Sequence, residues 1–379
     1  MPIVFYISGH GFGHASRDVE VINSLGQGDG PATAPVLIRS DVNPDLLART
    51  IRVPYELFRG PCDTGIIQSS SITHDDEATV AAALDFYATF PRRIEEELAL
   101  LRSLDASLVV GDIAPLAFEV ADRLGVPGIA LGNFTWDWIY ETHPGFLPRA
   151  EHVLDLIRRA YRKATSALRL PFAGGFEIFP HVIDLPLIAR RPTQPRADTR
   201  AHFRLGADRR VALLSFGGFG LPHLDLTRLD CDDEWTIVTT DRVSGMQTLD
   251  PGRIRTVVEH EFLGGAFRYE DLVAAADVVI TKPGYGIVSE CIATRTPLLY
   301  TSRGVFREYD LFVRDMPRFL RARFISQDDL LAGRWQGPLD ALLAQPHPHE
   351  TAVVDGADRA AAILVSASAK SARTPAESS

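Results

Sequence analysis

Apolar positions along this chain fall into short β-branched runs, and segments with a helical period lie between them. This alternation predicts a parallel sheet covered by helices on both faces, an α/β class. In the first half, strands are expected at Ile3 to Ile7, Val36 to Arg39, Tyr55 to Phe58, Ser107 to Val110 and Gly128 to Leu131. Asp76 to Leu104 reads as one long helix with a kink at Pro91, and Leu116 to Leu124 as a short one. The periodicity breaks at Arg190-Arg191-Pro192-Thr193-Gln194-Pro195, which reads as a linker. The same grammar then restarts, with strands at Val211 to Phe216, Trp235 to Thr239, Ile254 to Val258, Val278 to Thr281 and Leu298 to Tyr300. Two α/β units, each opening on a strand that runs into glycines, predict two Rossmann-like domains, 1–190 and 196–350, facing across a cleft. A last helix, about 352–368, could pack back across both, and the polar tail 369–379 is expected to be disordered.

Composition narrows the partners. The 379 residues are 46% apolar and 23% charged, which suits two globular domains. A formal charge of -10 gives no support to a nonspecific nucleic-acid role. Lys163, Lys282 and Lys370 are the only lysines. Three scattered cysteines, Cys62, Cys231 and Cys291, form no CxxC pair, so a cytoplasmic, reducing compartment is expected and a structural metal is not. The start of the chain lacks the basic region of a signal peptide, and no stretch approaches a membrane span.

Three glycine-bearing segments could carry chemistry. The first strand ends in Ser8-Gly9-His10-Gly11-Phe12-Gly13-His14, and a helical pattern follows. Glycines there let a backbone approach a ligand, although a tight strand-to-helix turn needs them for geometry alone. The two histidines add a candidate general base: His14 is the first choice and His10 the second, against the alternative that they only brace the loop. Leu213-Leu214-Ser215-Phe216-Gly217-Gly218-Phe219-Gly220 repeats the design, with backbone amides for a phosphate and Phe219 to cover a sugar or base. The most telling segment is Thr281-Lys282-Pro283-Gly284-Tyr285-Gly286-Ile287-Val288-Ser289-Glu290. Its helix would begin near Tyr285 and point its positive end at a diphosphate, with Glu290 placed to accept from ribose hydroxyls.

These residues resemble a known group. Gly9 to Ala15 with Arg17, and Gly284 to Glu290, are similar to the glycosyltransferase-like N-terminal region of plant-type L-arabinokinases, and Phe306-Arg307-Glu308-Tyr309 matches it more loosely. The chain also looks like the nucleotide-sugar transferases of the peptidoglycan N-acetylglucosaminyltransferase type. The resemblance covers roughly residues 2–345 and implies a GT-B fold, with an N-terminal acceptor domain and a C-terminal donor domain. Nothing here matches the kinase half of the arabinokinases, so no sugar-kinase activity is carried over.

The resemblance implies roles residue by residue. The base of the donor would lie near Glu261-Phe262-Leu263, and the diphosphate against Gly217, Gly218 and Gly284 to Gly286, with Gly11, Gly13, Phe219, Tyr285 and Ser289 also in the nucleotide site. Glu290 would hold the ribose, and Glu308 and Tyr309 the donor sugar. His14 would be the catalytic base, oriented by Asp112, for which a helix-capping role is the alternative. His10, Asn133 and Trp136 would line the acceptor, with core packing as the competing account of the tryptophan. The expected reaction is inverting, metal-independent transfer from a nucleotide-diphosphate sugar, a UDP-sugar first, to a hydroxyl of a small-molecule, glycan or lipid-linked acceptor. The nucleotide-sugar is a co-substrate and no cofactor is expected. The alternatives are an epimerase or hydrolase on the same fold, or a non-catalytic nucleotide-sugar-binding protein. Asp230-Cys231-Asp232-Asp233 resembles a metal-binding DxD but reads as a solvated turn, and Leu154 to Lys163 is a basic candidate for peripheral membrane contact.

Overall fold

The computed structural model describes residues 1–10, 12–26, 35–217, 221, 224–240, 253–262 and 265–371. The chain divides into two compact units. One comprises Met1–Ile67, Asp75–Ile188 and Val353–Ser379, and the other Gln68–His74 and Ala189–Ala352.

The first unit runs β1 (Ile3–Tyr6), α1 (Phe12–Leu25), β2 (Val36–Ser40), α2 (Pro44–Thr50), β3 (Tyr55–Arg59), α3 (Asp76–Ala88), α4 (Phe90–Arg102), β4 (Leu108–Gly111), α5 (Pro115–Leu124), β5 (Gly128–Phe134), α6 (Trp136–Glu141), α7 (Phe146–Tyr161), β6 (Ser166–Gly174) and β7 (Val182–Asp184). Its seven strands lie in the order β3-β2-β1-β4-β5-β6-β7, and every ladder is parallel. The central strands β1, β4 and β5 are buried along their whole length, as a sheet covered on both faces requires. The order reverses between β1 and β4. In an open parallel sheet the crevice outside the carboxyl ends of two such strands is where ligands bind.

The helix expected across 76–104 is two. Pro91 has no N–H to continue the helix ladder, so α3 ends at Ala88, Thr89 leaves helical geometry, and α4 restarts at Phe90 with Pro91 in its first turn. Two strands escaped the pattern. Ser166–Gly174 is interrupted by Arg169 and Pro171, and Val182–Asp184 is a short, exposed edge strand.

The second unit runs α8 (Arg196–His202), β8 (Arg210–Ser215), β9 (Trp235–Thr239), β10 (Ile254–Thr256), α9 (Tyr269–Ala275), β11 (Val278–Thr281), α10 (Tyr285–Thr294), β12 (Leu298–Tyr300), α11 (Glu308–Asp315), β13 (Ala322–Phe324), α12 (Gln327–Leu331) and α13 (Gln336–Leu343). Its sheet has the order β10-β9-β8-β11-β12-β13, again parallel, with the reversal between β8 and β11. Ile72, from the segment 68–74, belongs to this unit's core beside Leu214 and Phe216, and Ser71 Oγ donates to the Phe216 carbonyl at 2.7 Å. The edge strand β13 was not anticipated, because three residues of mixed character carry no usable period.

The last helix, α14 (Gly356–Ser371), belongs to the first unit and packs on α1. Ser24 Oγ donates to Asp358 at 2.8 Å, and the hydroxyls of Ser107 and Ser368 meet at 2.6 Å. Residues 369–371, expected in a disordered tail, therefore continue the helix, and the rest of that tail lies outside the described residues. In α7 the apolar face of Val153, Leu154, Ile157 and Tyr161 is buried, while Arg158 pairs with Asp137 and Lys163 with Glu119 and Asp122. Among the described residues no helix is long and apolar enough to cross a membrane.

Candidate functional site

At the β1/β4 reversal the chain assembles a buried polar cluster. His14 sits in the first turn of α1 and Asp112 directly follows β4. Their side chains meet, with His14 Nδ1 and Asp112 Oδ2 2.8 Å apart. The other carboxylate oxygen takes a short contact from Arg17 Nη2, and Arg17 Nη1 donates to Asn133 Oδ1 at 2.7 Å. Burial alone would push the Asp112 carboxyl up, but the charges of Arg17 and His14 and their hydrogen bonds outweigh it and hold the group well below the usual carboxylate range. Asp112 is thus a fixed anion.

That anion sets the tautomer of His14. Arg17 Nη2 also lies 3.1 Å from His14 Nδ1, yet a guanidinium only donates, so the two groups compete there. Asp112 is the available acceptor, and Nδ1–H donating to it leaves the lone pair on Nε2. The ring is 10% exposed, stacks on Trp136 at 5.9 Å and meets the edge of Phe134. The residue after Asp112, Ile113, has φ 51, a left-handed backbone that is rare for a β-branched side chain. The hydroxyl of Tyr161 bonds its carbonyl at 2.8 Å and helps hold that turn. Behind the dyad, Asp18 is fully buried, and burial followed by the nearby Asp112 charge pushes its carboxyl well up, which favours the neutral acid.

A second carboxylate, Asp63, was not anticipated. It lies in the loop after β3, where no motif marks it, and accepts from Ser8 Oγ at 3.0 Å and Trp136 Nε1 at 2.8 Å. His10 Nε2 is 3.8 Å from it, one third exposed, and burial lowers its basicity. The His10 ring lies over Gly65, whose φ of 56 and lack of Cβ are both needed, since a Cβ would stand 2.2 Å from the ring. Trp136 and Asn133, expected to line an acceptor, are almost wholly buried. The indole N–H is committed to Asp63 and the Asn133 carboxamide to Arg17, so both support the histidines.

The second unit gathers its own cluster at the β8/β11 reversal. Gly217 follows β8 with φ 73 and open space around it, while Gly218 and Phe219, like Gly11 and Leu263, lie outside the described residues. Gly284 caps α10 in extended backbone, and Gly286 lies in its first turn beside the buried Tyr285. Ser289 turns its hydroxyl back to the Gly286 carbonyl at 2.8 Å. Glu290 is buried on α10 and accepts from Arg190 Nε at 2.6 Å. Burial disfavours the Arg190 charge, but Glu290 and Glu270 outweigh it and raise its basicity. Arg190 was read only as part of a linker, so the sequence concealed this partner. Phe262 packs against Phe203 at 5.3 Å, and the Glu261 carbonyl meets His202 Nε2 at 3.2 Å. Glu308 is buried at the start of α11, 3.3 Å from Arg303, while Tyr309 is half-buried against Tyr300. Asp230 accepts from the backbone N–H groups of Trp335 and Gln336 at the start of α13, and Asp232 from that of Glu234.

Lys282 sits at the carboxyl end of β11, and burial followed by the neighbouring Arg303 charge brings its ammonium down to about 7. The unfolded chain holds that proton up to about 10.5, so between these values the unfolded state binds more protons and stability rises with pH. The denaturation midpoint of the ligand-free protein should therefore climb between about pH 7 and 9, and Lys282→Met should flatten the climb. An unchanged profile in the variant would show that the folded lysine keeps its charge.

No protein-family model matches the chain. It is 29% identical over 374 residues to L-arabinokinase of Arabidopsis thaliana, covering 96% of this chain and 34% of that protein. It is 27% identical over 233 residues to a UDP-N-acetylglucosamine--N-acetylmuramyl-(pentapeptide) pyrophosphoryl-undecaprenol N-acetylglucosamine transferase of Clavibacter michiganensis subsp. michiganensis, covering 58% of this chain and 57% of that one. The chain thus spans about a third and just over half of the lengths of these relatives. Among solved structures it is similar to the glycotransferase of kitacinnamycin, with a TM-score of 0.63, 16% identity and coverage of 99% of this chain and 98% of that one. Two parallel sheets with the strand orders given above, matched over nearly the whole chain, make the fold that of the GT-B glycosyltransferases.

Proposed function

We propose that this protein is a glycosyltransferase that moves a sugar from a nucleotide-diphosphate donor, a UDP-sugar first, to an acceptor hydroxyl with inversion. The observation that carries the reading is the His14–Asp112 pair at the β1/β4 reversal, an imidazole with its tautomer fixed and a lone pair on Nε2. His14 Nε2 takes the acceptor proton as the hydroxyl oxygen bonds the anomeric carbon, and the bond from that carbon to the diphosphate breaks with its electron pair leaving on the phosphate oxygen. The charge that develops there is met by N–H groups at the start of α10 and by the turn at Gly217, so the reading calls for no metal or other cofactor. Glu290 binds the ribose hydroxyls through the carboxylate that Arg190 orients. The similarity to L-arabinokinase and to the N-acetylglucosamine transferases supports a sugar-handling site, with a small molecule, glycan or lipid-linked acceptor.

Purified protein incubated with UDP-, GDP- and dTDP-sugars should release nucleoside diphosphate only when acceptor extract is present. Release into water alone would favour a hydrolase, an isomerised sugar an epimerase, and tight binding without turnover a binding protein. Glu290→Gln should weaken donor binding by roughly 10- to 100-fold, the worth of hydrogen bonds to a charged acceptor. Unchanged donor affinity in that variant, measured by calorimetry, would remove Glu290 from the ribose site.

A further inference from the structure

The start of α10 carries more positive charge than the fold requires. Lys282 and Arg303 leave the carboxyl ends of the neighbouring strands β11 and β12, and both come to the turn that caps this ten-residue helix. Arg303 is nine-tenths buried, its Nη1 donates to the Pro283 carbonyl at 3.1 Å, and a Cβ on Gly284 would stand only 4.0 Å from that nitrogen. Its Nε is buried with no hydrogen-bond partner, and the Phe306 ring lies 4.0 Å from the guanidinium carbon. The counter-charge is Glu308 of α11, 3.3 Å away. Lys282 Nζ donates to the neutral Gln68 Oε1 at 3.0 Å, and Arg303 is the charged group that acts on it. A guanidinium and an ammonium at the positive end of a helix repel one another and the helix dipole, an arrangement that an anion relieves.

We propose that Lys282 and Arg303 form a two-cation seat for the diphosphate of the donor, and that Lys282 takes one proton from solvent as the diphosphate arrives. The inference rests on the nucleotide-sugar reading and adds to it the groups that meet the phosphate charge. Arg303 supplies a permanent charge, whereas Lys282 is charged when the ligand is bound and returns its proton to solvent when the nucleoside diphosphate leaves. In the unliganded state burial and Arg303 bring the amine to about 7, so the seat avoids carrying a second, unpaired charge beside the Arg303–Glu308 pair.

Because the chain has only three lysines, the amine can be watched directly. Protein labelled with carbon-13 at lysine Cε gives three signals, and Lys282→Arg identifies the one that matters. Each signal is titrated from about pH 5.5 to 9.5, alone and with saturating UDP-, GDP- or dTDP-glucose, whose diphosphate charge is constant over that range. The bound nucleotide-sugar should raise the Lys282 midpoint by about two units, with donor affinity tightening by about 10-fold from pH 8.5 to 7, while Lys163 and Lys370 stay put. Lys282→Arg should retain binding and lose this pH dependence. Acceptor-dependent release of nucleoside diphosphate with an unmoved Lys282 midpoint would overturn the seat and leave the transfer reading intact. A raised midpoint with no such release would overturn transfer and leave the seat. Failure to bind any of the three sugars at millimolar concentration and pH 6 would overturn both.

Discussion

Replacing His14 by Ala should lower kcat by about 10²- to 10⁴-fold, the range for losing a positioned general base, while donor affinity stays within about twofold of the parent. The split follows from placement. His14 belongs to the first unit, whereas the donor contacts assigned here, Gly217, Gly284, Gly286 and Glu290, belong to the second. Removal of the imidazole also takes away the partner of one Asp112 oxygen but leaves that carboxylate paired with Arg17, so the variant should fold. Single-turnover kinetics with saturating donor and acceptor would read the chemical step directly. Full turnover in the variant would move the base elsewhere, with His10, held by Asp63, as the next candidate.

Asp112→Asn should be as damaging to catalysis and, unlike the first change, costly to the fold. In serine-protease triads the corresponding change costs about 10⁴ in kcat by presenting the wrong tautomer of histidine, and the same logic applies here. If the amide oxygen stays on Arg17, the amide N–H₂ faces His14 Nδ1, which must then accept, and the proton moves to Nε2. The substitution also strips a buried guanidinium of its carboxylate. Breaking such a pair costs roughly 3–5 kcal/mol, reduced here where Asp18 can ionise once the Asp112 charge is gone. The sign of the pH dependence is fixed by the depressed Asp112 carboxyl. Its contribution is complete above the unfolded value near 3.9 and is lost as pH falls toward the folded value, so parent and variant should converge below about pH 4. Denaturant titrations at pH 7 and 3 would test this. A constant stability gap would mean that Asp112 does not carry its charge in the folded chain.

Much of the architecture was legible because buried parallel strands write themselves as uninterrupted apolar runs. Ile3 to Tyr6, Trp235 to Thr239, Val278 to Thr281 and Leu298 to Tyr300 could be read directly. Strand order could not, since it depends on which run pairs with which, and it is the order that brings Asp112 beside His14 and Lys282 beside the turn at Gly217. The partners of the readable residues were harder still. Asp63 stands in a loop without a motif, Arg190 in a proline-rich linker, and Arg303 in a polar stretch just before the Phe306-Arg307-Glu308-Tyr309 segment. Asp63 and Arg190 acquire their roles from contacts 73 and 100 residues away, and Arg303 from the turn that follows the neighbouring strand β11. A buried ion pair leaves no period in a sequence.

The route of the chain bears on how the molecule is made. Ile72 lies in the core of the second unit although it is synthesised more than a hundred residues before the rest of that unit, and α14 completes the first unit from the far end of the chain. A ribosome that has produced residues 1–188 has therefore made neither unit whole, and the first unit cannot be completed before the second has been synthesised. A fragment 189–352 would carry a hole where Ile72 belongs, and a fragment 1–188 would leave the α14 face of α1 bare to water. The second unit is whole once residue 352 has been made, whereas the first stays open until the segment beyond it follows.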